Sequence, residues 1–293
     1  MSEFPETFKK GKYTMKIVRD TNSGKILVRS LYQFARFAQH VEAQGYVTAR
    51  KPLKDRKDAY VTYISTTIVP PSERKVEFSE MHEKMQGVGG LNTSTSMNPW
   101  CRAMYRGKTT KGCNPTICKS CYSMEGLVEG KTGNPAKATS LAMLTRNTRL
   151  LSHGPLVNVP KVKQSFFRFS AEGDLINDQH LINLFAIARA NPNTHFTLWT
   201  KRHNIVAKVL ANYSKPSNLF LIQGALRVNT PEKRLPGYTK TFTVYTPSYL
   251  KEHPEVKINC GAKSCMSCQL CYTTNGTTIV NERLKGKTAG KAP

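Results

Sequence analysis

The sequence predicts an α/β protein, a partial or complete (β/α) barrel with a small N-terminal α+β domain and Cys-rich metal-binding loops. Three observations predict it. β-prone runs at 165–170, 195–200, 218–223 and 241–246 alternate with helical patterns over short loops, as parallel strands joined by crossovers do. Eight cysteines fall in two groups of four, with none between Cys121 and Cys260. The 44 Lys+Arg against 19 Asp+Glu give the 293 residues a net charge of +25.

The elements follow in order. Residues 13–28 read as a hairpin, because two β-prone runs flank Asn22-Ser23-Gly24. A helix is expected next, with Ser30 as N-cap, Phe34, Phe37, Ala38 and Val41 on one face, and Gly45 at its stop. Residues 59–68 form a strand. This lead-in, residues 1–86, gives way to a polar, Gly-rich stretch at 87–99. Asn134-Pro135 opens a helix carrying Leu141, Leu144 and Leu151. Further helices are expected at 178–190, with Asp178 as cap, and at 203–213. Residues 87–282 make the barrel-like domain, and 283–293 a basic, disordered tail.

A charge of this size repels itself unless a polyanion neutralises it. Nucleic acid is the expected partner, with DNA ahead of RNA. No apolar run approaches the ~20 residues of a bilayer span, and the first residues lack the apolar core of a signal peptide, so no membrane role and a cytoplasmic location are expected. Residues 101–163 hold eleven Lys/Arg and two Glu. Arg102, Arg106, Lys108, Lys111, Lys119 and Arg202 are the candidate phosphate contacts. Tyr105 and Tyr122 can stack on bases, whereas Trp100 is expected in the core.

Eight cysteines in a reducing compartment point to metal rather than disulfides. Cys113-x4-Cys118-x2-Cys121 and Cys260-x4-Cys265-x2-Cys268 share one spacing; Cys101 precedes the first and Cys271 follows the second. Thiolates two residues apart converge on one ion when the turn between them is tight, which Ser120, Gly261 and Ser267 permit. Zinc, at about 2.3 Å, and a [4Fe–4S] cluster both suit such ligands, and the eight form one mixed site or two.

Between Gly130 and Pro231 the only acids are Glu172, Asp174 and Asp178, just after the strand at 165–170. Side chains beyond strand C-termini line the site in parallel α/β folds. Glu172 and Asp174 are therefore the candidate catalytic or cofactor-binding carboxylates, with Lys201 as a third catalytic candidate. Lys201 and Arg202 can hold a phosphate or pair with those carboxylates.

The segments CNPTICKSCY (113–122), FRFSAEGDLIN (167–177), FTLWTKR (196–202) and CGAKSCMSCQLCY (260–272) resemble the phage gene product 88 domain over about residues 88–272. Their order is also similar to radical-SAM-like partial barrels. That resemblance implies Cys113, Cys118 and Cys121 as ligands of a [4Fe–4S] cluster, S-adenosylmethionine (SAM) as cofactor, and Glu172 or Asp174 against its amino group. The spacing here is one residue longer than that superfamily's C-x3-C-x2-C, and Cys101 could fill the open iron position. A weaker resemblance, to the tRNA and DNA guanine transglycosylases, implies a zinc site, Asp174 as nucleophile at the sugar carbon, Glu172 or Asp178 as acid/base, and insertion of a 7-deazaguanine. The expected function is thus a nucleic-acid base-modifying metalloprotein. The alternatives are a zinc-containing transglycosylase and a non-catalytic binding module with structural metals.

Overall fold

The computed structural model describes residues 7–10, 13–19, 26–28, 48–53, 56–64, 75–79, 81–107, 116–121, 123–124 and 135–284, with side chains from 75 onward except at 120 and 135–142.

Near the start, β1 (Thr7–Lys10), β2 (Tyr13–Arg19), β3 (Ile26–Val28), β4 (Thr48–Leu53) and β5 (Arg56–Ile64) form an antiparallel sheet in the order β1-β2-β3-β5-β4. The expected hairpin is present as β2 and β3, paired from Ile17↔Val28 to Arg19↔Ile26. The expected strand at 59–68 corresponds to β5; the helix expected after Ser30 lies outside the described residues.

The second sheet carries the site. Its strands are β6 (Gly89–Leu91), β7 (Phe166–Phe169), β8 (His195–Thr200), β9 (Leu219–Gly224), β10 (Lys240–Tyr245) and β11 (Ile279–Arg283), all parallel and arranged in chain order. Among the described residues β6 and β11 do not pair with each other, so the sheet is open at both edges.

Right-handed crossovers between sequential neighbours leave successive helices on the same face. That is what the core records. Helices α2 (Pro135–Ser152), α3 (Asp178–Arg189) and α4 (His203–Leu210) bring Leu151, Leu181, Phe185, Ile205 and Val206 against Leu91, Phe167, Phe169, Phe196, Leu198, Leu219 and Leu221. These strand residues alternate, and those between them form the other face. Register sets that second face in rows: Gly90, Arg168, Thr197 and Phe220; then Trp199, Ile222 and Lys240; then Lys201, Gly224 and Phe242.

Four expectations are corrected. The Gly-rich stretch at 87–99 contains β6, a strand without β-branched residues, where a Cβ on Gly89 would collide with the Phe167 ring. Asn177, not Asp178, caps α3, its side chain accepting from the His180 N–H; Asp178 sits in the first turn and pairs with Lys208 at 2.5 Å. Trp100 is only half-buried, with the Arg202 guanidinium 5.3 Å from its ring centroid. Arg283, placed in a tail, ends β11. No helix among the described residues is long and apolar enough to cross a membrane.

Candidate metal centres and strand-end site

The strand-end site begins at Asn98. Its side chain caps α1 (Pro99–Tyr105) by accepting from the N–H groups of Trp100 and Cys101, at 3.0 and 3.4 Å, while its amide donates to the carbonyls of Asp174 and Leu175. One asparagine thus seats buried Cys101 above the turn after β7. Cys118 lies in a 3-10 turn (Ile117–Ser120) and Cys121 follows it; Ile117 N–H donates to the Leu226 carbonyl at 2.9 Å, hanging this turn on the loop after β9. Cys101, Cys118 and Cys121 lie within electrostatic range of one another and of Lys201, and Cys101 and Cys118 also of Asp174. Cys113, Lys108, Lys111 and Tyr122 lie outside the described residues.

Burial, and after it the Asp174 carboxylate, push the Cys101 thiol well above its ordinary range. Cys118 is raised by burial, which the nearby Lys201 ammonium partly opposes. Burial disfavours the Lys201 charge, yet Cys118, Asp174 and the other two cysteines together hold its pKa above the usual lysine value. Lys201, the residue after β8, lies against Gly224, its Cγ 3.2 Å from where a Cβ there would stand.

Asp174 is engaged on both oxygens. One accepts from the Leu175 N–H at 2.7 Å and the Thr200 hydroxyl at 2.5 Å, the other from the Lys201 N–H at 3.1 Å. Glu172 differs. Its backbone is tied to Asn92 and Thr93, but its half-buried carboxylate makes no side-chain hydrogen bond among the described residues, and burial raises its pKa. Nearby, the hydroxyls of Thr93 and Tyr238 are buried without hydrogen-bond partners among the described residues. Buried orphans of this kind mark places where a further group belongs.

The basic candidates divide. Arg102, Arg106 and Lys119 are exposed; the first two are one turn apart, and the Lys119 stem lies where a Cβ on Gly107 would stand. Arg202 instead turns inward, donating to the Leu175 carbonyl at 3.0 Å. Gln223, read as a strand-end side chain, holds the loop 225–239 by bonding Glu232, the Lys233 carbonyl and the Leu235 N–H.

The second cysteine group occupies another place. Cys265 and Cys271 pack with Met266 on Val88, Phe166 and Tyr272, at the N-terminal end of the second face. Cys260 and Cys268 lie within electrostatic range of Cys271. Burial, then Cys260, raise the Cys271 thiol to about 12. From Thr197, level with Arg168, to Lys201 is four residues of strand, about 13 Å, so the two cysteine groups are separate. Arg168, Lys84 and Lys240 surround the second; nothing in their spacing singled them out, since only register brings them together.

The seven described cysteines are all free thiols. No group of three or more His, Cys, Asp or Glu closes to metal-holding geometry among the described residues. By chemistry alone the donors are of the soft kind that thiophilic metals take: three thiols carried by α1 and the 3-10 turn, and four within residues 260–271.

An open, all-parallel six-strand sheet in chain order, with α2, α3 and α4 packed on one face, defines an α/β protein. The chain belongs to the gene product 88 family, whose model matches residues 79–269. No curated protein and no solved structure matches it.

Proposed function

We propose that this chain is a metalloprotein that modifies bases of nucleic acid at the C-terminal ends of a partial (β/α) barrel, with residues 1–86 as a separate small domain. The observation that carries the reading is the grouping of Cys101, Cys118 and Cys121 about Lys201 at the strand ends, with Glu172 in the same turn after β7 as Asp174. Arg102, Arg106 and Lys119 are exposed in the segments that bear these cysteines and are suited to phosphates, DNA before RNA.

Cys101, Cys113, Cys118 and Cys121 would hold one metal or [4Fe–4S] cluster, and Cys260, Cys265, Cys268 and Cys271 a second. A cluster here, with SAM, would supply one-electron chemistry, and zinc would supply structure or Lewis acidity. Glu172 accepts from an amino group or moves a proton, and burial suits it to the latter. Lys201 balances charge above the thiols. Asp174 positions Lys201 rather than attacking a sugar, because attack would require it to release donors held on both oxygens. A base in a duplex has to be flipped out to reach such a site.

Anaerobic purification followed by iron, sulfide and zinc analysis, with optical spectra before and after SAM, tests the reading. A brown protein whose spectrum responds to SAM is the expected result. A colourless zinc protein would shift the reading to transglycosylation or to binding alone, and a folded, metal-free protein overturns it.

A further inference from the structure

The second face of the sheet has cations that its protein partners do not neutralise. The Arg168 guanidinium lies 4.3 Å from the Trp199 ring centroid, its Nη1 donates to the Met85 sulfur at 3.5 Å, and its Nε is buried with no partner. Lys240, 2% exposed, gives its ammonium to two neutral oxygens, Asn275 Oδ1 at 2.8 Å and the Thr277 carbonyl at 2.5 Å. Among the described residues no carboxylate pairs with either. Lys84, closer to the surface, reaches Cys260 Sγ at 3.6 Å and pairs with Glu282 at 2.9 Å.

Burying cations without an anion is costly, so the face implies negative charge nearby. The neighbours within range are the cysteines: Arg168 acts on Cys265 and Cys271, Lys84 on Cys260 and Cys265, and Lys240 on Cys271. Four neutral thiols would leave Arg168 and Lys240 without a charged partner among the described residues. Four thiolates around a divalent ion keep a net negative charge, which three cations on one side complement.

We infer that Arg168, Lys84 and Lys240 form a charge-compensating shell for an anionic tetrathiolate metal centre built from Cys260, Cys265, Cys268 and Cys271, which seals the open face of the sheet. This rests on the reading of the cysteines as metal ligands. The shell positions rather than binds. The loop covers Phe166 and Val88 on the face that no helix of the core cluster covers, so the centre has a fold to hold as well as a charge to balance.

The test uses the full chain with Cys101, Cys118 and Cys121 replaced by Ser, so that bound zinc reports the second group alone. Zinc affinity is measured by chelator competition. Arg168→Gln and Lys84→Gln should each weaken zinc about 10- to 100-fold, and Arg168→Lys should restore most of the loss. Trp199 fluorescence, read beside the guanidinium, should shift on zinc removal. If Arg168→Gln does not fold, Lys84→Gln, a change at a partly exposed side chain, decides alone. Unchanged affinity in these variants overturns the shell while leaving the metal reading intact; a parent chain that takes up no zinc overturns the metal reading itself.

Discussion

The Thr200 hydroxyl donates to Asp174 Oδ1 at 2.5 Å and so ties the turn after β7 to the end of β8. The same carboxylate takes the Lys201 and Leu175 N–H groups, which makes the position of Lys201 a consequence of Asp174. An amide at 174 turns one acceptor into a donor facing a donor. Asp174→Asn should therefore cost about 2–3 kcal/mol of stability in denaturant unfolding. Unchanged stability would show that the bonds are not maintained in solution.

Gly173, at φ +83, stands against Thr93, and an added Cβ would lie 2.7 Å from the Thr93 carbonyl oxygen. Backbone oxygen cannot swing away as a side chain can. Gly173→Ala should destabilise by roughly 2 kcal/mol or more, combining left-handed strain with the clash. Gly224→Ala presses on the flexible Lys201 stem, 3.2 Å from its Cγ, and meets the Thr200 carbonyl oxygen at an ordinary 3.5 Å, so it should leave the melting temperature nearly unchanged while altering alkylation rates at Cys118.

His180 is fully buried, accepts the Ile176 N–H at 3.3 Å, and burial lowers its pKa to about 3. The unfolded chain protonates near pH 6.5, before the folded one, so it binds the extra proton in between. This contribution is complete above about pH 6.5 and falls by up to about 1.4 kcal/mol per unit as the pH drops toward 3. Unfolding free energies measured between pH 4.5 and 7 should show a shallower slope in His180→Gln.

If Arg102, Arg106 and Lys119 meet phosphates, replacing each by Gln should weaken binding to all sequences alike and reduce the slope of log K against log salt by about 1. Arg202→Gln, whose side chain faces the Leu175 carbonyl, should instead lower stability and leave that slope unchanged. Fluorescence anisotropy over a salt series distinguishes the two outcomes.

Much of the architecture was legible because its signals are local. The runs at 165–170, 195–200, 218–223 and 241–246 are strands within a residue or so, and Pro135 does open a helix. What escaped had no local signal. Gly89–Leu91 is a strand through its parallel pairing with Phe167–Phe169, and its glycine at 89 answers to the Phe167 ring, which leaves no room for a side chain; both are properties of its neighbour rather than of its own propensity. Asn177 displaced Asp178 as a cap through a shift of one residue, which periodicity does not resolve.

The candidate site divides in the same way. Two clusters of thiols, three acids after one strand and an excess of positive charge are facts of composition and spacing, and the sequence determined them unaided. Only the tertiary structure decided that the described thiols of the two groups stand at opposite ends of one sheet, that Asp174 is engaged while the Glu172 carboxylate has no hydrogen bond among the described residues, and that Arg168 and Lys240 face the second group. Such pairings arise from strand register, which brings together residues tens of positions apart and is set by long-range hydrogen bonding and packing that no short stretch of chain encodes.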